Sequence, residues 1–180
     1  MPNTAKEDKI YTIEDIEALP EGERAELIDG KIYYMSSPSR IHQRISMSIS
    51  TDINNYIKAN KGSCEVYAAP FAVYLNNKNN TNYFEPDISV ICDPTKLDEK
   101  GCHGAPDWII EIVSPGSATM DRYIKLLKYS DAGVKEYWIV DSVKEEVTVY
   151  KTEKKEMENY TFDDNIPVGI YNNFSIKIEL

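Results

Sequence analysis

Two apolar runs constrain this chain more than any other feature. "DWIIEIV", Asp107 to Val113, reads as a buried strand, and "EYWIVD", Glu136 to Asp141, reads as a second one. Between them "TMDRYIKLLKYSDAG" reads as a helix ending at Gly133. A strand, a helix and a strand in succession form a crossover, which makes the two strands parallel. The first run also holds an anomaly. Glu111 sits among Trp108, Ile109, Ile110, Ile112 and Val113. Side chains alternate along a strand, so Ile109, Glu111 and Val113 share one face. A buried carboxylate pairs with a cation, takes up a proton or binds a metal. Its place near the carboxyl end of the strand is where sheets flanked by helices tend to set their ligands.

The remaining pattern builds outward from that unit. "TIEDIEALP" reads as a short helix capped by Thr12 and stopped by Pro20. "AELIDGKIYYM" reads as a hairpin turning at Asp29-Gly30. Ser39 caps the clearest helix, in which Ile41, Ile45, Ile49, Ile53 and Ile57 recur every fourth residue. "CEVYAAPFAVYL" reads as strand broken near Pro70, "NNKNNTN" as a loop, "PDISVIC" as a strand and "CDPTKLDEKGCHGAP" as a polar loop. "EVTVYK", "NYTF" and "FSIKIEL" close the chain as strands. The fold class is α/β (α+β), a mixed sheet flanked by helices, in a single domain over 1–180 whose first ten residues form a flexible tail.

At 180 residues, 42% hydrophobic and 28% charged, the composition is that of a globular domain. No apolar run is long enough to span a bilayer, and the polar start lacks a signal peptide's apolar segment. The expectation is a cytoplasmic protein with no membrane contact. Cys64, Cys92 and Cys102 are odd in number and lack CxxC spacing, so free thiols in a reducing compartment are expected. The net charge of −10 weighs against a broad phosphate-gripping surface, but it suits a carboxylate site that needs a cation before it receives a phosphate.

Asp87 opens "DISVI" after Pro86, and on a strand beside Glu111 it would share a divalent cation with it. On the following helix Asp121, Lys125, Lys128 and Tyr129 fall on one face, leaving Tyr123, Ile124 and Leu127 to pack on the sheet. Spacing alone favours an ordinary Asp121–Lys125 pair at i,i+4. A lysine beside two carboxylates would instead orient a water and offset phosphate charge. GxSxG, GxxxxGK[ST] and GxGxxG are absent, and Cys92, Cys102 and His103 match no common zinc spacing.

"AELIDGKIYYMSSPSRIHQRI", "PDISVI", "PDWIIEIVSPGSATMDRYIKLLKY" and "AGVKEYWIVD" together resemble the Putative restriction endonuclease family of the PD-(D/E)xK nuclease superfamily, over about residues 23–150. The resemblance implies a restriction-endonuclease-like core. It also implies that Asp87 and Glu111 are the motif's acidic residues, binding Mg²⁺ or Mn²⁺. The lysine of the pattern, two residues after Glu111, is Val113 here, and Lys125 on the next helix is the matching position. Glu26 resembles an extra metal-binding acid. His42, Asp121 and Tyr129 are supporting candidates. The function implied is metal-assisted phosphodiester hydrolysis in nucleic acid, with DNA as substrate and a homodimer as the assembly. The alternative is a catalytically weak or inactive nuclease fold that binds nucleic acid or a protein partner. A two-carboxylate glycosidase is a third reading, which the crossover and the family likeness oppose.

Overall fold

The computed structural model describes residues 9–75, 79–113 and 120–179, and of 120–122 the backbone alone. The expected tail, 1–10, therefore lies outside the described residues except for its last two. Chain order runs α1 (Ile13–Glu17), β1 (Ala25–Ile28), β2 (Lys31–Tyr34), α2 (Arg40–Ala59), β3 (Glu65–Ala68), β4 (Val73–Tyr74), β5 (Tyr83–Phe84) and β6 (Ile88–Ile91). A 3₁₀ turn (Pro94–Lys96), β7 (Leu97–Asp98), β8 (Gly101–His103), β9 (Trp108–Val113), a π-helical turn (Met120–Lys125) and α3 (Leu126–Ala132) follow. The chain ends with β10 (Glu136–Asp141), β11 (Glu146–Lys151), β12 (Glu156–Thr161), β13 (Ile166–Pro167) and β14 (Ser175–Ile176).

The main sheet has six strands in the order β12-β11-β10-β9-β6-β3. β9 and β10 run parallel from Trp108↔Glu136 to Val113↔Asp141, so the crossover is present, while the other pairs in this sheet are antiparallel. A second sheet of shorter strands runs β2-β1-β5-β4-β8-β7. The loop expected over "CDPTKLDEKGCHGAP" thus contains the β7–β8 hairpin, whose Asp98 Oδ1 accepts from the Lys100 and Gly101 amides. Asp29 and Gly30 turn β1 into β2 with φ of 50° and 74°. That double positive φ is what a two-residue hairpin turn requires.

Strand alternation divides the core into two layers. On one face of the main sheet, Trp108, Ile110, Ile112, Trp138 and Val140 pack against Ile45, Ile49, Ile53 and Ile57 of α2. The isoleucine stripe is what pins α2, and each fully buried isoleucine contributes roughly 1.5–3 kcal/mol. Ser39 Oγ accepts from the His42 amide at 3.2 Å and fixes where α2 begins. On the opposite face, Ile109, Val113, Tyr137 and Ile139 pack with Phe84 of the second sheet and Tyr129 of α3.

Two expectations are corrected. Cys64 and Cys92 are joined in a disulfide, and only Cys102 is a free thiol among the described residues. The cause is register: β3 and β6 pair as Glu65↔Ile91, and the next step sets Cys64 opposite Cys92. The argument from free thiols to a reducing compartment falls with it. The helix after β9 is also inverted. Tyr123 and Leu127 are 66% and 64% exposed and Ile124 is 38% exposed, whereas Lys125 is 5% exposed and Tyr129 wholly buried. Grouping the residues by face was sound; what lies beneath the helix decides which face turns inward. No helix among the described residues is long and apolar enough to cross a membrane.

Candidate active site

Four side chains meet where the two sheets and α3 converge. Glu111 projects from β9, Glu26 from β1, Lys125 from the end of the π turn and Tyr129 from α3. The first three are each 5% exposed. Lys125 Nζ lies 2.8 Å from Glu26 Oε2 and 2.9 Å from Glu111 Oε1, bridging the two carboxylates. Tyr129 OH donates to the same Glu111 Oε1 at 2.9 Å. Burial first, then the charges of Glu111 and Glu26, hold the Tyr129 hydroxyl well above its ordinary range, so it keeps its proton and donates.

Asp87 stands beside the cluster. β6 and β9 pair as Ile88↔Ile110, and one step further the register sets Asp87 opposite Glu111. Asp87 Oδ2 accepts the Ile112 amide at 2.7 Å and meets His42 Nε2 at 3.0 Å. His42 belongs to the first turn of α2, so Asp87 is tied to both neighbouring elements. Both of these bonds fall on Oδ2. Of the residues singled out in the sequence, the structure gathers Glu26, Glu111, Lys125 and Tyr129 directly. It sets Asp87 and His42 alongside; the Asp121 side chain lies outside the described residues.

The sequence reading missed Glu85. It is 8% exposed and is held by Arg24, whose Nε donates at 2.7 Å, and by Tyr83 OH at 2.7 Å. Its amide donates to Glu26 Oε1 at 3.2 Å, fixing the second oxygen of that carboxylate. The one available signal was its place, a single proline before Asp87. Arg24 lies two residues before Glu26, so the ion pair braces the strand that carries Glu26 against the segment that carries Asp87.

Carboxylate oxygens are hard donors suited to Mg²⁺ or Mn²⁺. The oxygens of Glu26 and Glu111, from separate sheets, already converge on one cationic atom, so this donor set fits such an ion. Among the described residues, no three His, Cys, Asp or Glu side chains stand close enough together to hold one as arranged.

The architecture is an α+β one, two mixed sheets flanked by helices. The family model Uma2, "Putative restriction endonuclease", matches residues 13–179, and the chain belongs to that family. The crystal structure of "a putative nuclease belonging to DUF820" from Anabaena variabilis ATCC 29413 aligns with a TM-score of 0.73 over 88% of this chain and 89% of that one, at 24% identity, a likeness of fold. "Uncharacterized protein slr1290" of Synechocystis sp. (strain ATCC 27184 / PCC 6803 / Kazusa) is 31% identical over 129 residues, 71% of this chain. The chain spans 66% of that relative, just under two thirds of its length.

Proposed function

We propose that this protein is a divalent-metal-dependent endonuclease hydrolysing phosphodiester bonds in DNA. The observation that carries the reading is the convergence of Glu26 and Glu111 on Lys125, with Asp87 in register beside them. Glu26, Glu111 and Asp87 would hold Mg²⁺ or Mn²⁺. When bound, such an ion polarises the phosphate and lowers the pKa of a bound water. The protein's own groups do the positioning. Tyr129 fixes Glu111, the Glu85 amide fixes Glu26, and His42 with the Ile112 amide fixes Asp87. Lys125 supplies a mobile positive charge for the phosphate oxygens as their charge grows. On this reading Lys125 stands in for the lysine of the superfamily pattern, supplied from a later position in the chain. A homodimer would set two such sites against the two strands of a duplex.

The test is cleavage of a supercoiled plasmid with Mg²⁺, with Mn²⁺ and with EDTA, for wild type, Glu111→Gln and Lys125→Ala. Metal-dependent nicking abolished by both substitutions supports the reading. Nicking that survives Glu111→Gln removes the site. A second reading, a nuclease fold that binds without cutting, draws on the net charge of −10 and on Val113 standing where the superfamily pattern has its lysine. Retention of nucleic acid in a gel shift, with no cleavage under any metal, is its signature.

A further inference from the structure

The Lys125 ammonium stands where the two carboxylates meet. Glu26 comes from the second sheet and Glu111 from the main one, and both reach Nζ within 2.9 Å. These are ordinary separations for oxygens around an ammonium. A magnesium ion would draw the same oxygens in to roughly 2.1 Å. We infer that Lys125 is a built-in counter-ion that fills the cation position of the metal-free site, so that metal entry and lysine departure are one event. This rests on the metal-site reading above and adds a control step to it.

The physical reason is the burial of both acids. Two carboxylates, each 5% exposed, repel one another unless a cation lies between them. Lys125 keeps them converged while no metal is bound, so the site is assembled in advance. Its charge opposes a divalent ion at the same point, so the lysine must weaken metal binding. Lysine suits this task because its ammonium is a point charge on a four-carbon stem, able to swing aside without moving the backbone. Arginine, with its planar fork, would hold both carboxylates and not let go. Once displaced, the ammonium remains at the edge of the site, where phosphate charge develops. The residue that guards the empty site then serves the occupied one.

The experiment is calorimetric titration of Mn²⁺ into the whole protein, stripped with EDTA and desalted, for wild type, Lys125→Met and Glu111→Gln. Lys125→Met is expected to bind Mn²⁺ at least tenfold more tightly than wild type, although it removes a group needed for cleavage. Glu111→Gln is expected to lose binding. Equal or weaker binding by Lys125→Met overturns the inference and leaves the metal site standing. No binding by wild type or Lys125→Met removes the metal site and the inference together. Because Lys125→Met costs stability, wild type carries a second readout: acetylation of lysines by an N-hydroxysuccinimide ester, mapped by mass spectrometry. Lys125 should be protected without Mn²⁺ and reactive at saturation, with Lys144 as an internal reference that does not change. Equal protection of Lys125 with and without bound Mn²⁺ overturns the inference in the native sequence.

Discussion

Glu111 and Glu136 are buried glutamates on neighbouring parallel strands, toward opposite ends and on opposite faces of the main sheet. Glu136 is 1% exposed and satisfied by neutral donors: Trp138 Nε1 at 2.6 Å, the Ile170 amide at 2.9 Å and the Gly169 amide. The fit there is close, since a Cβ on Gly169 would sit 2.8 Å from Glu136 Oε2. Burial raises the Glu136 pKa, and the three donors and the more distant Lys151 work against that rise. Glu111 is met instead by an ammonium, a phenol and a second carboxylate close by. Neutral amides around a carboxylate make a closed, finished arrangement. A cation shared between two carboxylates makes an exchangeable one. The difference separates a carboxylate that holds the structure together from one poised to take a ligand.

Four measurements test that contrast. In EDTA, Lys125→Met should lower unfolding stability by about 3–5 kcal/mol in urea titration, because it strands buried carboxylates without their cation. A loss below about 1 kcal/mol would mean the site does not depend on its ammonium. Glu136→Ala should cost about 3 kcal/mol, from donors left without an acceptor, and leave Mn²⁺ affinity unchanged. A change in affinity would join the two ends that the comparison separates. Tyr129→Phe should cost about 1.5–3 kcal/mol, the range for one hydrogen bond to a charged group. The smallest effect is in pH. A raised pKa means that folded Glu136 holds its proton where the unfolded chain has lost it. Its contribution is therefore full below the ordinary carboxylate value and is lost as pH rises through the raised one. Wild type should lose stability relative to Glu136→Gln as pH climbs from about 4 toward neutrality. A difference that stays flat with pH would contradict the raised pKa.

The frame of this molecule was legible in its sequence because local rules suffice for it. The crossover from β9 to β10, the Asp29-Gly30 turn and the isoleucine face of α2 each follow from periodicity or turn chemistry. The anomaly of Glu111 was legible too, since an acid inside an apolar strand demands a partner. What escaped depended on pairings distant in sequence. Cys64 meets Cys92 through a β3–β6 register that spacing does not reveal. Lys125 and Tyr129 turn inward, against the hydrophobic rule, because Glu26 and Glu111 wait beneath them and need a cation and a donor. Glu85 was passed over because Arg24, which holds its carboxylate, and Glu26, which its amide meets, lie far earlier in the chain. The residues of the candidate cluster were readable in the sequence, and their contacts with one another were not.

The Cys64–Cys92 bond gives the main sheet two unlike hems. At one side β3 is stitched to β6 by a covalent bond; at the other, β12 hangs on β11 by the ladder, the Lys151–Glu158 ion pair and the Thr148–Asn159 bond, all of them reversible. A sheet unravels from its free hem, where backbone bonds open to water. Amide exchange should therefore begin at β12 and work inward through β11 and β10. The seam between β6 and β9, where Asp87 faces Glu111, lies at the fastened side and is among the last to part.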